Sequence, residues 1–107
     1  MRSRQAAQRP VEDRTHVLLR RARRATLRGE KREAMVALRE ACCTTATNAR
    51  LWALYGAACA RARRHTEART ALRQAIWLRQ RERDPKRARS LERLLLALDS
   101  VPSVSAA

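Results

Sequence analysis

Apolar residues recur three and four positions apart along most of this chain, the spacing of amphipathic helices. Leu18, Ala22 and Ala25 form one such stripe, Ala34, Leu38 and Ala41 a second, and Leu91, Leu94, Leu95 and Leu98 a third. The punctuation between them predicts five helices. The first starts near Asp13, a good N-cap, and runs to Arg28, where Gly29 supplies a left-handed residue without steric penalty. The second runs from about Lys31 to Cys43 and ends in the β-branched, polar stretch Thr44 to Thr47. Asn48 caps a third that reaches about Ala62, and a fourth runs from about Thr66 to Arg83. Asp84-Pro85 is the sharpest boundary: Asp caps, and Pro fits the first turn of the fifth helix, Pro85 to Leu98. Residues 1–11 read as a flexible basic arm and residues 99–107 as a flexible tail.

Two of these stripes are copies of one another. Glu33-Ala34-Met35-Val36-Ala37-Leu38-Arg39-Glu40-Ala41 returns 34 residues later as Glu67-Ala68-Arg69-Thr70-Ala71-Leu72-Arg73-Gln74-Ala75, with six of nine positions identical. A period of 34 belongs to helix–turn–helix units that cannot bury their apolar face alone and stack on copies of themselves.

Trp52-x-x-Tyr55-Gly56-x-x-Cys59, followed by Ala68-x-x-x-Leu72-x-x-Ala75, resembles a tetratricopeptide repeat. A weaker copy precedes it in register, with Leu18, Ala22, Ala25, Gly29, Ala34, Leu38 and Ala41 at the corresponding positions. The resemblance covers about residues 12–98 and implies an all-α domain of about five antiparallel helices in a short right-handed superhelix. Repeat 1 spans about 15–48, repeat 2 about 49–82, and the helix 85–98 acts as a cap. The sequence departs from the family in three places: Arg63 replaces the turn glycine, Arg21 an apolar residue, and Ala46 and Gln80 the closing prolines. Gly56 and Ala68 are small enough to let two helices cross closely within the second repeat.

The resemblance also implies a site. Tetratricopeptide proteins line a concave groove with the first helix of each repeat, which here gives His16, Leu19, Arg20, Arg23 and Leu27, then Arg50, Ala53, Ala57 and Arg61. Helical geometry places His16, Arg20, Arg23 and Leu27 on one face, and Arg50, Leu54, Ala57 and Arg61 on another. The expected groove has an alanine floor and guanidinium walls, suited to carboxylates or phosphates. The alternative is a merely solvated charged face. The family's carboxylate clamp of Asn and Lys is absent from these faces. A secondary surface is Trp77, flanked four residues either side by Arg73 and Arg81, which either packs under the fifth helix or stands exposed as a binding anchor.

Composition sharpens the partner. The 25 basic residues, 23 of them Arg, outnumber ten acidic ones, for a formal charge of +15. Codon bias explains Arg over Lys but not the excess, which favours an anionic partner. Arg20, Arg21, Arg24 and Arg28 form an outward strip that Arg2, Arg4 and Arg9 extend. Three readings follow: an intracellular, cytoplasmic adaptor for an acidic protein segment; a nucleic-acid- or ribosome-associated protein; and a structural homodimer in which short stacks cap each other. Cys42, Cys43 and Cys59 show no metal spacing, His16 and His65 lie far apart, and there is no glycine-rich phosphate loop. No catalytic residue, metal or cofactor is expected. No signal peptide or membrane span is expected either.

Overall fold

In the computed structural model the backbone is described for residues 2–100 and the side chains for residues 13–100. Within that range the only regular structure is helical: α1 (Arg2–Leu27), α2 (Lys31–Thr44), α3 (Ala49–Arg61), α4 (His65–Arg81) and α5 (Pro85–Asp99). Each packs chiefly on its neighbours in sequence, most extensively α3 on α4, in an elongated molecule of 55 × 34 × 20 Å. The chain is an all-α array of helix–turn–helix units, as the periodicity predicts.

The internal repeat is a packing repeat. Four of its six shared positions, Ala34/Ala68, Ala37/Ala71, Leu38/Leu72 and Ala41/Ala75, are at most 4% exposed in both copies. The tightest point is between α3 and α4. A Cβ added to Gly56 would stand 2.8 Å from Leu72 Cδ2 and 3.4 Å from the carbonyl oxygen of Ala68. Gly56 and Ala68 therefore do mark a close helix crossing, with Leu72 and Cys59 wholly buried around it.

The turns repeat as well. Gly29, Arg63 and Arg83 all have positive φ, at 76°, 59° and 56°. After each, the next amide reaches back five residues, Glu30 to Ala25, Arg64 to Cys59 and Asp84 to Arg79, at 2.8 to 2.9 Å. Each turn is thus a Schellman closure, so two arginines take the role that glycine fills in the first. The connection between α2 and α3 is different. Asn48 Oδ1 accepts from the Leu51 amide, and the Trp52 indole N–H donates to the Ala46 carbonyl at 2.7 Å, fastening the turn that lacks proline.

Three expectations change. The arm expected over residues 1–11 is helical backbone from Arg2 onward. Gln5, Ala6, Ala7 and Gln8 favour a helix, and that local preference carries α1 through Pro10 to a start well ahead of Asp13. Arg14 pairs with Glu40 and Thr15 with Thr45, so the stretch before them runs past the end of α2. Leu94 does not share the buried stripe of α5; it is 38% exposed, while Ala88 and Leu98 are buried and Leu91 and Leu95 partly so. α5, capped by Asp84, starts two residues later than α3 plus the 34-residue period would place it. Asp99, assigned to the tail, closes α5 and accepts from Arg69 Nε at 2.9 Å. The rest of the expected tail, beyond Ser100, lies outside the described residues.

Candidate functional site

α1 and α3 are the first helices of the two units, and they face each other across a depression of about 440 Å³. α1 contributes His16, Leu19, Arg20, Arg23 and Leu27 to it. α3 contributes Arg50, Leu54 and Arg61. These are side chains at three- and four-residue spacing, so each helix presents them as one stripe. Leu18 and Ala25 turn the other way, towards α2, and fix the rotation of α1. Leu51, Tyr55 and Cys59 do the same for α3.

The chemistry of the depression is two-layered. Its floor is apolar, with Leu38, Leu54, Leu19 and Ala22 beneath Leu27, which is 80% exposed. Its rim is basic, with Arg20, Arg23, Arg50 and Arg61 all exposed. Among the described residues none of these four is in an ion pair with a carboxylate, and none of the described carboxylates lines the depression. Their forks are therefore open to an incoming acceptor.

Two of the residues expected here do not line it. Ala53 and Ala57 are partly buried on α3, and the expected alanine floor is made of leucine instead. Leu54 takes the place of Ala53 because α3 is rotated to bury Leu51 and Tyr55. The helical-face reading, which includes Leu54, matches the cavity better than the positions carried over from the resemblance.

The second surface is open. Trp77 is 49% exposed on α4, so α5 does not cover it. The Arg81 guanidinium carbon lies 4.7 Å above its ring centroid, a cation–π contact. Arg73 shares a shallow depression with Trp77, Thr70 and Gln74 without stacking on the ring.

A third feature has no forerunner in the sequence reading. Arg32, Met35, Val36 and Arg39 of α2 face Arg64 and Glu67 of α4 across a depression of about 480 Å³, with Tyr55 at its back. The packing of α3 against both α2 and α4 brings these residues together, and no one helix pattern contains them. Arg64 is shared with Glu67 at 3.4 Å, while Arg32 and Arg39 have no carboxylate partner among the described residues.

The buried ionisable groups are quiet. Burial pushes the Cys42 thiol up to about 12, and burial with a hydrogen bond to Cys59 holds the Tyr55 hydroxyl up to about 12. Burial raises Cys59 too. All three are held neutral, which disfavours nucleophilic use. Among the described residues no three His, Cys, Asp or Glu side chains cluster as a metal site, and no helix is long and apolar enough to cross a membrane.

Compared with protein-family models, curated proteins and solved structures, the chain matches none of them.

Proposed function

We propose that this chain is a non-enzymatic adaptor of tetratricopeptide type, and that it binds an acidic segment of another protein in the groove between α1 and α3. One observation carries the reading: Arg20, Arg23, Arg50 and Arg61 ring a leucine-floored depression whose described lining holds no carboxylate. A peptide with Asp or Glu spaced around a leucine or similar residue complements both layers. Its carboxylates meet the guanidinium forks, and its apolar side chain reaches Leu54 and Leu19. The Trp52–Tyr55–Gly56 and Ala68–Leu72–Ala75 framework supports the family reading through the close α3–α4 crossing. The basic excess across the whole chain would draw such a segment in from a distance.

The test uses a fluorescently labelled peptide of alternating Glu and Leu and reads its anisotropy. Arg23→Glu combined with Arg61→Glu should abolish binding at unchanged helical content. Arg21→Glu combined with Arg24→Glu, which changes the charge equally on another part of α1, should weaken it far less. Equal losses from the two pairs would mean that bulk charge alone drives association, and the groove would be discarded.

A further inference from the structure

The face of the molecule built by α2 and α4, the second helices of the two units, is the most chemically distinctive surface outside the groove. It contains the depression of Arg32, Arg39 and Arg64 and the exposed Trp77 with Arg73 beside it. These two features are related by the repeat. Thr70, Arg73, Gln74 and Trp77 stand 34 residues after Val36, Arg39, Glu40 and Cys43, so both sets occupy the same face of equivalent helices. Arg39 and Arg73 are also the shared pair that packing does not explain. The alanines and leucines of the repeat are buried, and Glu33 and Glu67 sit in first turns, where a negative charge is favoured. Arg39 and Arg73 are exposed.

We infer that this face binds single-stranded nucleic acid, with Arg32, Arg39, Arg64 and Arg73 on successive phosphates and Trp77 as the platform for one base. Three observations favour a nucleic acid over an acidic peptide on this side. An indole 49% exposed carries substantial apolar area into water, and that area suits a nucleobase. Arg81 at 4.7 Å holds that ring from one side and adds positive charge at the stacking position. The depression around Trp77 is open and lined by Thr70, Arg73 and Gln74 beside the ring, whereas the groove between α1 and α3 has a leucine floor; stacking needs only such an open, flat surface. Recognition of this kind is indifferent to sequence, since every base has a π-face.

The experiment titrates the full chain with twelve-residue oligouridylate and, separately, oligothymidylate, reading intrinsic tryptophan emission and repeating the titration at several chloride concentrations. Binding should quench Trp77; Trp52 is half-buried with its indole N–H bonded to Ala46 and should change little. Trp77→Ala should remove the quench and weaken binding about tenfold, while Trp77→Tyr, which keeps a stacking ring, should restore most of the affinity. Arg39→Ala with Arg73→Ala should reduce the salt slope by about 1.4, two phosphate contacts at about 0.7 each. Arg23→Ala with Arg61→Ala removes the same charge from the groove and should leave that slope nearly unchanged. The inference fails if saturating oligonucleotide leaves Trp77 emission unaltered, or if the two arginine pairs have equal effects. It fails equally if the Glu–Leu peptide, rather than the oligonucleotide, is lost on Trp77→Ala. Preference between the two oligonucleotides distinguishes RNA from DNA as the natural strand. Peptide binding measured on the same variants reports on the groove independently, so failure here and failure there are separable.

Discussion

Stability at the residue scale turns on one missing side chain. Gly56 lets α3 approach α4 until an added methyl would stand 2.8 Å from Leu72, itself wholly buried. Leu72 has no solvent to swing into, and Ala68, Ala71 and Ala75 on the same helix are no more than 1% exposed. Gly56→Ala should therefore destabilise by about 1–3 kcal/mol, against the normal preference of a helix for alanine. Ala68→Leu should do the same from the other side. Urea denaturation measures both, and an unchanged midpoint for Gly56→Ala would mean the helices are not this close. The cysteines give a second residue-level expectation. Only the thiolate alkylates, and burial holds Cys42 near 12, so at pH 8 almost none of it is reactive. Iodoacetamide on the native protein should label Cys43, which is exposed, and spare Cys42 and Cys59 until denaturant is added. Mass spectrometry of peptides distinguishes the sites; rapid native labelling of Cys42 would show that α2 and α3 part readily.

At the scale of elements, helix ends decide how the array is spaced. The three Schellman turns share one geometry but not one residue, and Arg63 and Arg83 adopt a left-handed backbone that only glycine reaches without strain. Arg63→Gly and Arg83→Gly should each stabilise by about 1 kcal/mol, and Gly29→Ala should destabilise by a similar amount, since open space around Gly29 leaves only the backbone term. Thermal melts of the three variants check the signs. α5 adds a pH dependence. The hydrogen bonds from Arg87, side chain first and backbone second, hold the Asp84 carboxyl below its ordinary 3.8. A depressed folded-state value means the contribution is present above the unfolded pKa and is lost as pH falls through the folded one. Wild type should thus lose stability on acidification below about pH 4 more steeply than Asp84→Asn, which keeps a capping oxygen without a charge. These ends explain what the sequence makes legible. Asn48, Gly29 and Asp84-Pro85 announce themselves because capping is local chemistry. The start of α1 does not, because Pro10 signals an end that good helix formers on its N-terminal side override. The rotation of α3, which exchanges Ala53 for Leu54 in the groove, is set by what Tyr55 and Leu51 bury against other helices. The depression of Arg32, Arg39 and Arg64 exists only once α3 has packed against both α2 and α4.

For the whole molecule the governing quantity is charge. Each helix packs mainly on its sequence neighbours, so no large core dilutes the surface, and 25 basic groups share a body only 20 Å across its short axis with ten acidic ones. Among the described residues five ion pairs form, three of them between residues three apart on one stretch of chain. Each has at least one partner 39% or more exposed, and such surface pairs contribute little. Repulsion among the remaining arginines is a long-range term of the opposite sign. At 0.01 M salt the screening length is about 30 Å, longer than the short axis, so nearly every arginine feels every other; at 0.15 M it is about 8 Å, and only immediate neighbours interact. Screening therefore removes more repulsion than attraction. The melting temperature of the free protein should rise as sodium chloride goes from 0.01 to 0.15 M, by several degrees if the relief is about 1 kcal/mol in a domain of this size. The same addition should weaken both the groove and the α2–α4 face towards their anionic ligands, so stability and binding move in opposite directions with salt. Calorimetry alongside the anisotropy titration tests the pair. A melting temperature that falls with chloride would show that the ion pairs outweigh the repulsion, and that the basic excess is already balanced within the fold rather than held open for a partner.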